Sequence, residues 1–249
     1  MEPIDKATMK IVYKYDTWLE RINTYVVSQL KVNKDMLPSN KELSAKFEEF
    51  ELDNWWYAHY KDFSRYKSWH YLYAGLNCFF NYSKNFAVTA SQHLKDVKSV
   101  VDVGAGIGLS TMLLADLFPN AKIYYNNIQP SLQAEFFKIY KQDRIEILNE
   151  KEMMQKGPFD VLFASEYFEH FPTPLKQLDF LIDKVRFKRL VVSNSFNVKA
   201  YGHFTCFEEG LNPRQVSKAF NRLVRVEYDD LKIKVWNGRP KIYVRKEAT

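Results

Sequence analysis

The chain has 249 residues, 46% hydrophobic and 27% charged, which excludes a disordered polymer and suits one α/β domain with an extension or two small domains. Its formal charge of +6 allows phosphate partners, but lysine is spread along the chain rather than gathered in a run, so a solvated surface explains it equally well. Two cysteines without metal-ligand spacing, a start lacking a signal pattern and no run near the roughly 18 apolar residues of a membrane span lead us to expect a cytoplasmic, soluble protein with no disulfide framework, structural zinc or membrane partner.

Met9, Val12, Tyr13, Trp18, Leu19, Ile22, Val26, Val27 and Leu30 stand close to helical spacing, which predicts one or two amphipathic helices over residues 5–32. Pro38-Ser39-Asn40 breaks that pattern, and Ser39 or Asn40 can cap a helix through Leu43, Phe47 and Phe50. The aromatic excess, 16% overall, is concentrated between Trp55 and Phe86. Tyr60, Phe63, Tyr66, Trp69 and Tyr73 recur with a helical period, so most rings are expected in an interhelix core or over a sheet, with a minority lining a pocket.

Beyond Lys98, short apolar runs alternate with helical stretches, the texture of a parallel α/β sheet. Strands are predicted at Ser99–Val103, Lys122–Asn126, Ile145–Leu148, Phe159–Ala164 and Arg189–Ser193, and helices at Leu109–Phe118, Gln133–Tyr140, Leu175–Val185 and Pro213–Leu223. The close reads as a hairpin, Val224–Trp236 returning through Asn237-Gly238-Arg239-Pro240 into Lys241–Arg245. Two parts follow: an aromatic-rich helical extension or lid over residues 1–92 and an α/β domain over 93–249.

Asp102-Val103-Gly104-Ala105-Gly106-Ile107-Gly108 runs directly from a strand into a helix. Glycines suit a tight turn that a ligand approaches closely, and the following helix start offers free N–H groups. The pattern is GxGxG. A dinucleotide GxGxxG would need glycine at Leu109, and no Gly-Lys-Ser/Thr follows, so neither a dinucleotide turn nor a P-loop is expected.

These residues resemble the first motif of the class I (Rossmann-like) S-adenosylmethionine (SAM)-dependent methyltransferases, an acidic residue, any residue, then GxGxG. Lys122–Ile128 falls where that family's second strand ends, Ile145–Glu150 resembles its third strand, and Phe159–Phe171, with its Glu-x-x-Glu-His segment, looks like its fourth strand and loop. The resemblance spans about residues 95–245. It implies an α/β fold with a seven-stranded sheet whose last strand is antiparallel, preceded here by the helical extension, and SAM as cofactor. It further implies that Gly104, Ala105, Gly106 and Gly108 pass under the methionine part, with Asp102 near its amino group, Glu150 beside the adenine and Ser165 at the cofactor's edge. The family usually ends its second strand with an acidic residue that holds both ribose hydroxyls; here Asn127 stands there, which predicts a weaker ribose contact.

Methyl transfer needs alignment, dryness and sometimes a base. The end of the fourth strand supplies Ser165, Glu166, Tyr167, Glu169 and His170, of which Glu166 or His170 is expected as general base; His203 falls in the loop after the fifth strand. His59, His70 and His93 read as packing or surface residues, and no metal site is expected. The Asn/Asp-Pro-Pro-aromatic and Pro-Cys signatures of base-modifying methyltransferases are missing, Ser165-Glu166-Tyr167-Phe168 having no proline. A small-molecule or nucleotide-sized acceptor is therefore expected. The alternatives are a nucleic-acid-acting methyltransferase, motivated by charge and stacking rings, and a non-catalytic or repurposed SAM-fold binding protein, motivated by Asn127. A homodimer is compatible with either.

Overall fold

Seven strands form one mixed sheet in the order β3-β2-β1-β4-β5-β7-β6. The computed structural model describes residues 6–37, 69–198, 203–204, 206–207, 210–233, 235 and 239–246. Strands β1 (Ser99–Val103), β2 (Lys122–Asn126), β3 (Ile145–Ile147), β4 (Phe159–Ser165) and β5 (Phe187–Ser193) run parallel. Strand β7 (Lys241–Arg245) pairs antiparallel with both β5 and β6 (Tyr228–Asp230). The sheet has the seven strands and the antiparallel last strand that the resemblance implied.

The central strands are apolar on both faces because helices cover both. Val100, Ile123, Tyr125, Val161, Phe163 and Val191 belong to one buried layer, and Val101, Val103, Tyr124, Leu162, Leu190 and Val192 to the other, the two-residue alternation of a pleated strand. On the first face lie α1 (Lys6–Tyr13), α2 (Trp18–Ser28), α3 (His70–Cys78), α4 (Lys84–His93), α5 (Leu109–Leu117) and α6 (Leu132–Tyr140). On the second lie α7 (Glu150–Lys156), α8 (Pro174–Phe180) and α9 (Pro213–Glu227).

Of the rings between Trp55 and Phe86 that are described, Tyr71, Tyr73, Phe79 and Phe86 are buried as the core reading expects, and Tyr82 is exposed; rings nearer the N-terminus pack too. Trp18 and Tyr25 meet Phe136 edge-on, with centroids 6.1 and 5.1 Å apart, and both also pack on Tyr140. Tyr15 donates its hydroxyl to Asp116 at 2.7 Å, tying α1's flank to α5. Thus α1 and α2 coat α5 and α6, which is why α5 can be apolar nearly all round. The predicted helix through Leu43, Phe47 and Phe50, and the rings from Trp55 to Tyr66, lie outside the described residues.

Helix α7 stands between β3 and β4 where no helix is expected from the sequence, and other elements also differ from that expectation. Helix α9 runs on to Glu227, so the predicted hairpin strand shrinks to Tyr228–Asp230. Val216, Phe220 and Val224 extend one buried stripe at four-residue spacing, and the Asn212–Gln215 capping box fixes the helix start; this core-facing period overrides the β-branched texture around Val224 and Val226. The predicted turn at Asn237-Gly238 lies outside the described residues. Between α3 and α4 a π-turn, Phe79–Ser83, interrupts the helix; such bulges redirect side chains, and here buried Ser83 meets Ser165, Oγ to Oγ 2.8 Å.

Candidate functional site

The sheet order reverses between β1 and β4, and both strands point their C-terminal ends into the same cleft, where open α/β sheets receive ligands. The glycine turn forms one wall. Gly104, Gly106 and Gly108 all have positive φ (62, 55 and 77°), the left-handed region that favours glycine. Their surroundings differ. A Cβ on Gly104 would fall 2.2 Å from the ring of Tyr167, and one on Gly108 2.0 Å from the ring of Phe137. At Gly106 the nearest atom would be 3.7 Å away, on Gln133, an ordinary contact. Two of the three glycines therefore admit the protein's own rings, whereas at Gly106 a Cβ would meet only Gln133 at ordinary distance.

Hydrogen bonds hold this turn from behind. Ala105 N–H donates to the Asn126 carbonyl at 3.0 Å, and the Gly106 carbonyl accepts from Tyr125 Oη at 2.7 Å and Asn127 Nδ2 at 3.4 Å. Asp102, expected beside the cofactor's amino group, is fully buried, and its Oδ2 accepts from Ser110 Oγ and Thr111 Oγ1, each at 2.7 Å. Burial pushes its carboxyl up to about 7 against the pull of those two hydroxyls. In this structure Asp102 braces the start of α5 from below. Glu150 opens α7 on the exposed rim, close enough for its charge to act on Tyr167. Asn149 rather than Glu150 caps that helix, in a capping box with Glu152.

The opposite wall is built where β4 ends. Glu166 takes φ +50°, a strained conformation for a glutamate, while its N–H donates to the Ser193 carbonyl at 2.9 Å on β5. The chain then makes a short 3-10 turn, Phe168–His170. Phe168 fills the second core layer, which turns Glu169 inward; both are completely buried. Tyr167 lies over Gly104 and accepts from Gln177 Nε2 at 2.8 Å. The loop after β5 is clipped back by Phe204 N–H donating to the Glu169 carbonyl at 2.9 Å, which seats His203 beside the turn. The His203 ring meets that of His170 edge-on, centroids 4.9 Å apart.

The result is a buried polar cluster. One oxygen of Glu166, one of Glu169 and a ring nitrogen of His203 all lie within 4.8 Å of one another. Glu166 Oε1 accepts from Ser193 Oγ at 2.8 Å and has Arg239 Nη1 3.9 Å away; that arginine also donates to Ser195 Oγ at 2.8 Å. Glu169 Oε1 accepts from Ser195 N–H at 2.8 Å, while its Oε2 has no hydrogen-bond donor. Burial first, then the Glu166 charge, drive the Glu169 carboxyl far above the usual range, so without other ligands the pair shares a proton. Burial acts to raise Glu166 as well, but that proton, Ser195, Ser193 and Arg239 outweigh it and hold Glu166 below its ordinary value. Burial lowers His203 despite the Val198 and Ser195 carbonyls and the Glu166 charge, leaving a neutral ring whose Nδ1 lies 3.0 Å from the Val198 oxygen.

The structure therefore brings Ser165, Glu166, His170 and His203 to one wall, Asp102, the glycines, Ala105 and Asn127 to the other, and Glu150 to the rim. Sequence reasoning named Glu169 for the strand end but gave it no role. It missed Arg239, Ser193 and Ser195 entirely, because they arrive from strand ends and a loop distant in sequence.

No protein-family model matches the chain, and no curated protein matches it in sequence. Solved structures do resemble it in fold. The mitomycin 7-O-methyltransferase MmcR is 16% identical over 66% of this chain and 54% of its own, with a TM-score of 0.46; the matched part spans about half of that enzyme. The 16S rRNA methylase ArmA is 22% identical over 69% of this chain and 85% of its own, TM-score 0.45. The methyltransferase domain of bacterial CtHen1 is 13% identical over 69% of this chain and all of its own, TM-score 0.47. These likenesses leave the site to be argued from its own geometry.

Proposed function

We propose that this chain is a SAM-dependent methyltransferase acting on a small-molecule or nucleotide-sized acceptor. The observation that carries the reading is the left-handed glycine turn at the end of β1, at the point where the strand order reverses. Bound there, SAM supplies a methyl group on a sulfonium: the new bond to the acceptor forms as the carbon–sulfur bond breaks, and sulfur keeps the electron pair. The turn from Gly104 to Gly108 holds the methionine end, Asn127 faces the ribose, Glu150 the adenine, and Ser165 closes the edge. Glu166, His170 and His203 border the acceptor side; of these, neutral His203 and ionised Glu166 are in the right state to take an acceptor proton. Calorimetric titration with SAM and with its demethylated product tests the reading. Micromolar or tighter binding of both is expected; binding of neither rules it out.

One observation favours a nucleic-acid acceptor as the second reading. Lys218, Arg222, Arg225 and Lys241 line one open surface depression beside α9. If it engages a phosphate backbone, binding to single- or double-stranded nucleic acid weakens steeply with salt. Failure to bind either form at low salt removes this reading and leaves the first intact.

A further inference from the structure

We propose that Glu166, Glu169 and His203 bind a divalent metal ion. Two carboxylates and one imidazole converge from two loops at the sheet's C-terminal edge, with their donor atoms within 4.8 Å of one another. Ligands of a small cation at about 2.1 Å stand roughly 3 Å apart when adjacent and about 4.2 Å when opposite. The widest pair thus has to close by about 0.6 Å if it stands opposite and by up to about 1.8 Å if adjacent, which side-chain rotations can supply.

Glu169 supplies the second, independent observation. Its Oε2 is fully buried and has no hydrogen-bond partner among the described residues, and the carboxyl that faces Glu169 is that of Glu166, with which it can share only a proton or a cation. Two carboxylates can face each other in a dry interior only through a shared proton or a cation. Unsatisfied buried acceptors of this kind are uncommon, and one aimed into a cluster with an imidazole calls for a metal. The supporting contacts suit that role. Ser193 and Ser195 orient the two carboxylates, and the Val198 carbonyl can hold one ring nitrogen's proton so that the other presents its lone pair. Arg239 opposes a cation; its side chain is partly exposed and 3.9 Å from Glu166, and to swing toward solvent it has to give up its 2.8 Å hydrogen bond to Ser195 Oγ.

Two carboxylates with one imidazole suit a first-row ion that accepts both oxygen and nitrogen, Mn²⁺ before Mg²⁺ or Ca²⁺. Three protein ligands leave coordination positions for water or an oxygen of an incoming molecule. The binding itself does not depend on the methyltransferase reading and is measured without SAM.

The test is titration of the chelator-treated full chain with Mn²⁺, following free Mn²⁺ by electron paramagnetic resonance and heat by calorimetry. One Mn²⁺ per chain is expected. Outer-shell partners alone change metal affinity about 10–100-fold, so Glu169→Gln and His203→Gln should each weaken binding by at least about 10-fold. Circular dichroism checks that each variant is folded; should the buried Glu169→Gln chain fail to fold, His203→Gln decides. The proposal is overturned if the wild-type chain takes up no stoichiometric Mn²⁺ below millimolar concentration, or if folded variants bind it as the wild type does.

Discussion

The two walls of the cleft satisfy their buried polar groups in opposite ways. At the glycine turn every acceptor discussed has an internal donor: Asp102 takes two hydroxyls, and the Gly106 carbonyl takes Tyr125 and Asn127. At the end of β4 two carboxylates face each other, and Glu169 Oε2 has no hydrogen-bond partner among the described residues. A wall whose polar groups are closed on themselves keeps a shape; a wall with facing carboxylates awaits a proton or a cation. The turn is thus a rigid platform, while the chemistry and its sensitivity to conditions belong to the acid cluster, with Asp102 as the platform's one costly component.

That cost gives the largest expected effect. The folded Asp102 carboxyl titrates about 7 against an ordinary 3.8, so its contribution to stability is fully present below pH 3.8 and is lost as pH rises to about 7. Roughly three units at about 1.4 kcal/mol each amount to something near 4 kcal/mol. Asp102→Asn keeps an oxygen for Ser110 and Thr111 but cannot ionise. Denaturant unfolding at several pH values should show the variant gaining on wild type by up to about that amount between pH 4 and pH 8. A difference that stays level across this range would mean Asp102 is not held in the form described.

The next effect separates a glycine pressed against the protein's own ring from the one that meets only ordinary contacts. Gly108→Ala drives a methyl 2.0 Å from the Phe137 ring, which is itself stacked on Tyr125 at 3.9 Å and cannot yield, and it does so at φ +77°. A loss of about 3 kcal/mol or more is expected. Gly106→Ala meets only ordinary contacts, so its stability cost should be confined to the left-handed backbone, about 1–2 kcal/mol. Its larger consequence should be weaker SAM binding in calorimetry. Equal stability losses in the two variants would erase the distinction.

What the sequence made legible follows from range. Strand positions, the turn and the antiparallel close are local patterns of period, glycine spacing and apolar runs, and they fix the sheet because helices must cover both its faces. The resemblance implied that Asp102 and all three glycines serve a ligand; nothing local in the sequence shows that Tyr167 and Phe137 also lie against Gly104 and Gly108. Glu166, Glu169 and His170 are neighbours in sequence and could be read together. His203, Ser193, Ser195 and Arg239 could not, because the contact that seats His203, Phe204 on the Glu169 carbonyl, closes a loop whose spacing carries no periodic signal. Helix α9 was ended too early for the reverse reason: Val224 looks β-like alone and helical only once Val216 and Phe220 are seen on its face.

The smallest expected effect tests whether the turn wall holds a ribose at all. Asn127 donates to the Gly106 carbonyl at 3.4 Å, a long bond near the limit of useful geometry, so little is lost when the donor goes. Asn127→Asp replaces the amide by a carboxylate able to accept from both ribose hydroxyls, and charge-assisted bonds are about twice as strong as neutral ones. The new charge also repels the Gly106 carbonyl, which moderates the gain. SAM should therefore bind about 3–10-fold more tightly, a change of roughly 1 kcal/mol read by calorimetry at constant pH and salt. The demethylated product should tighten equally, because the ribose is common to both. Unchanged affinity for both ligands would place the ribose away from residue 127, and tighter binding of SAM alone would mean that the carboxylate is sensing the sulfonium charge instead.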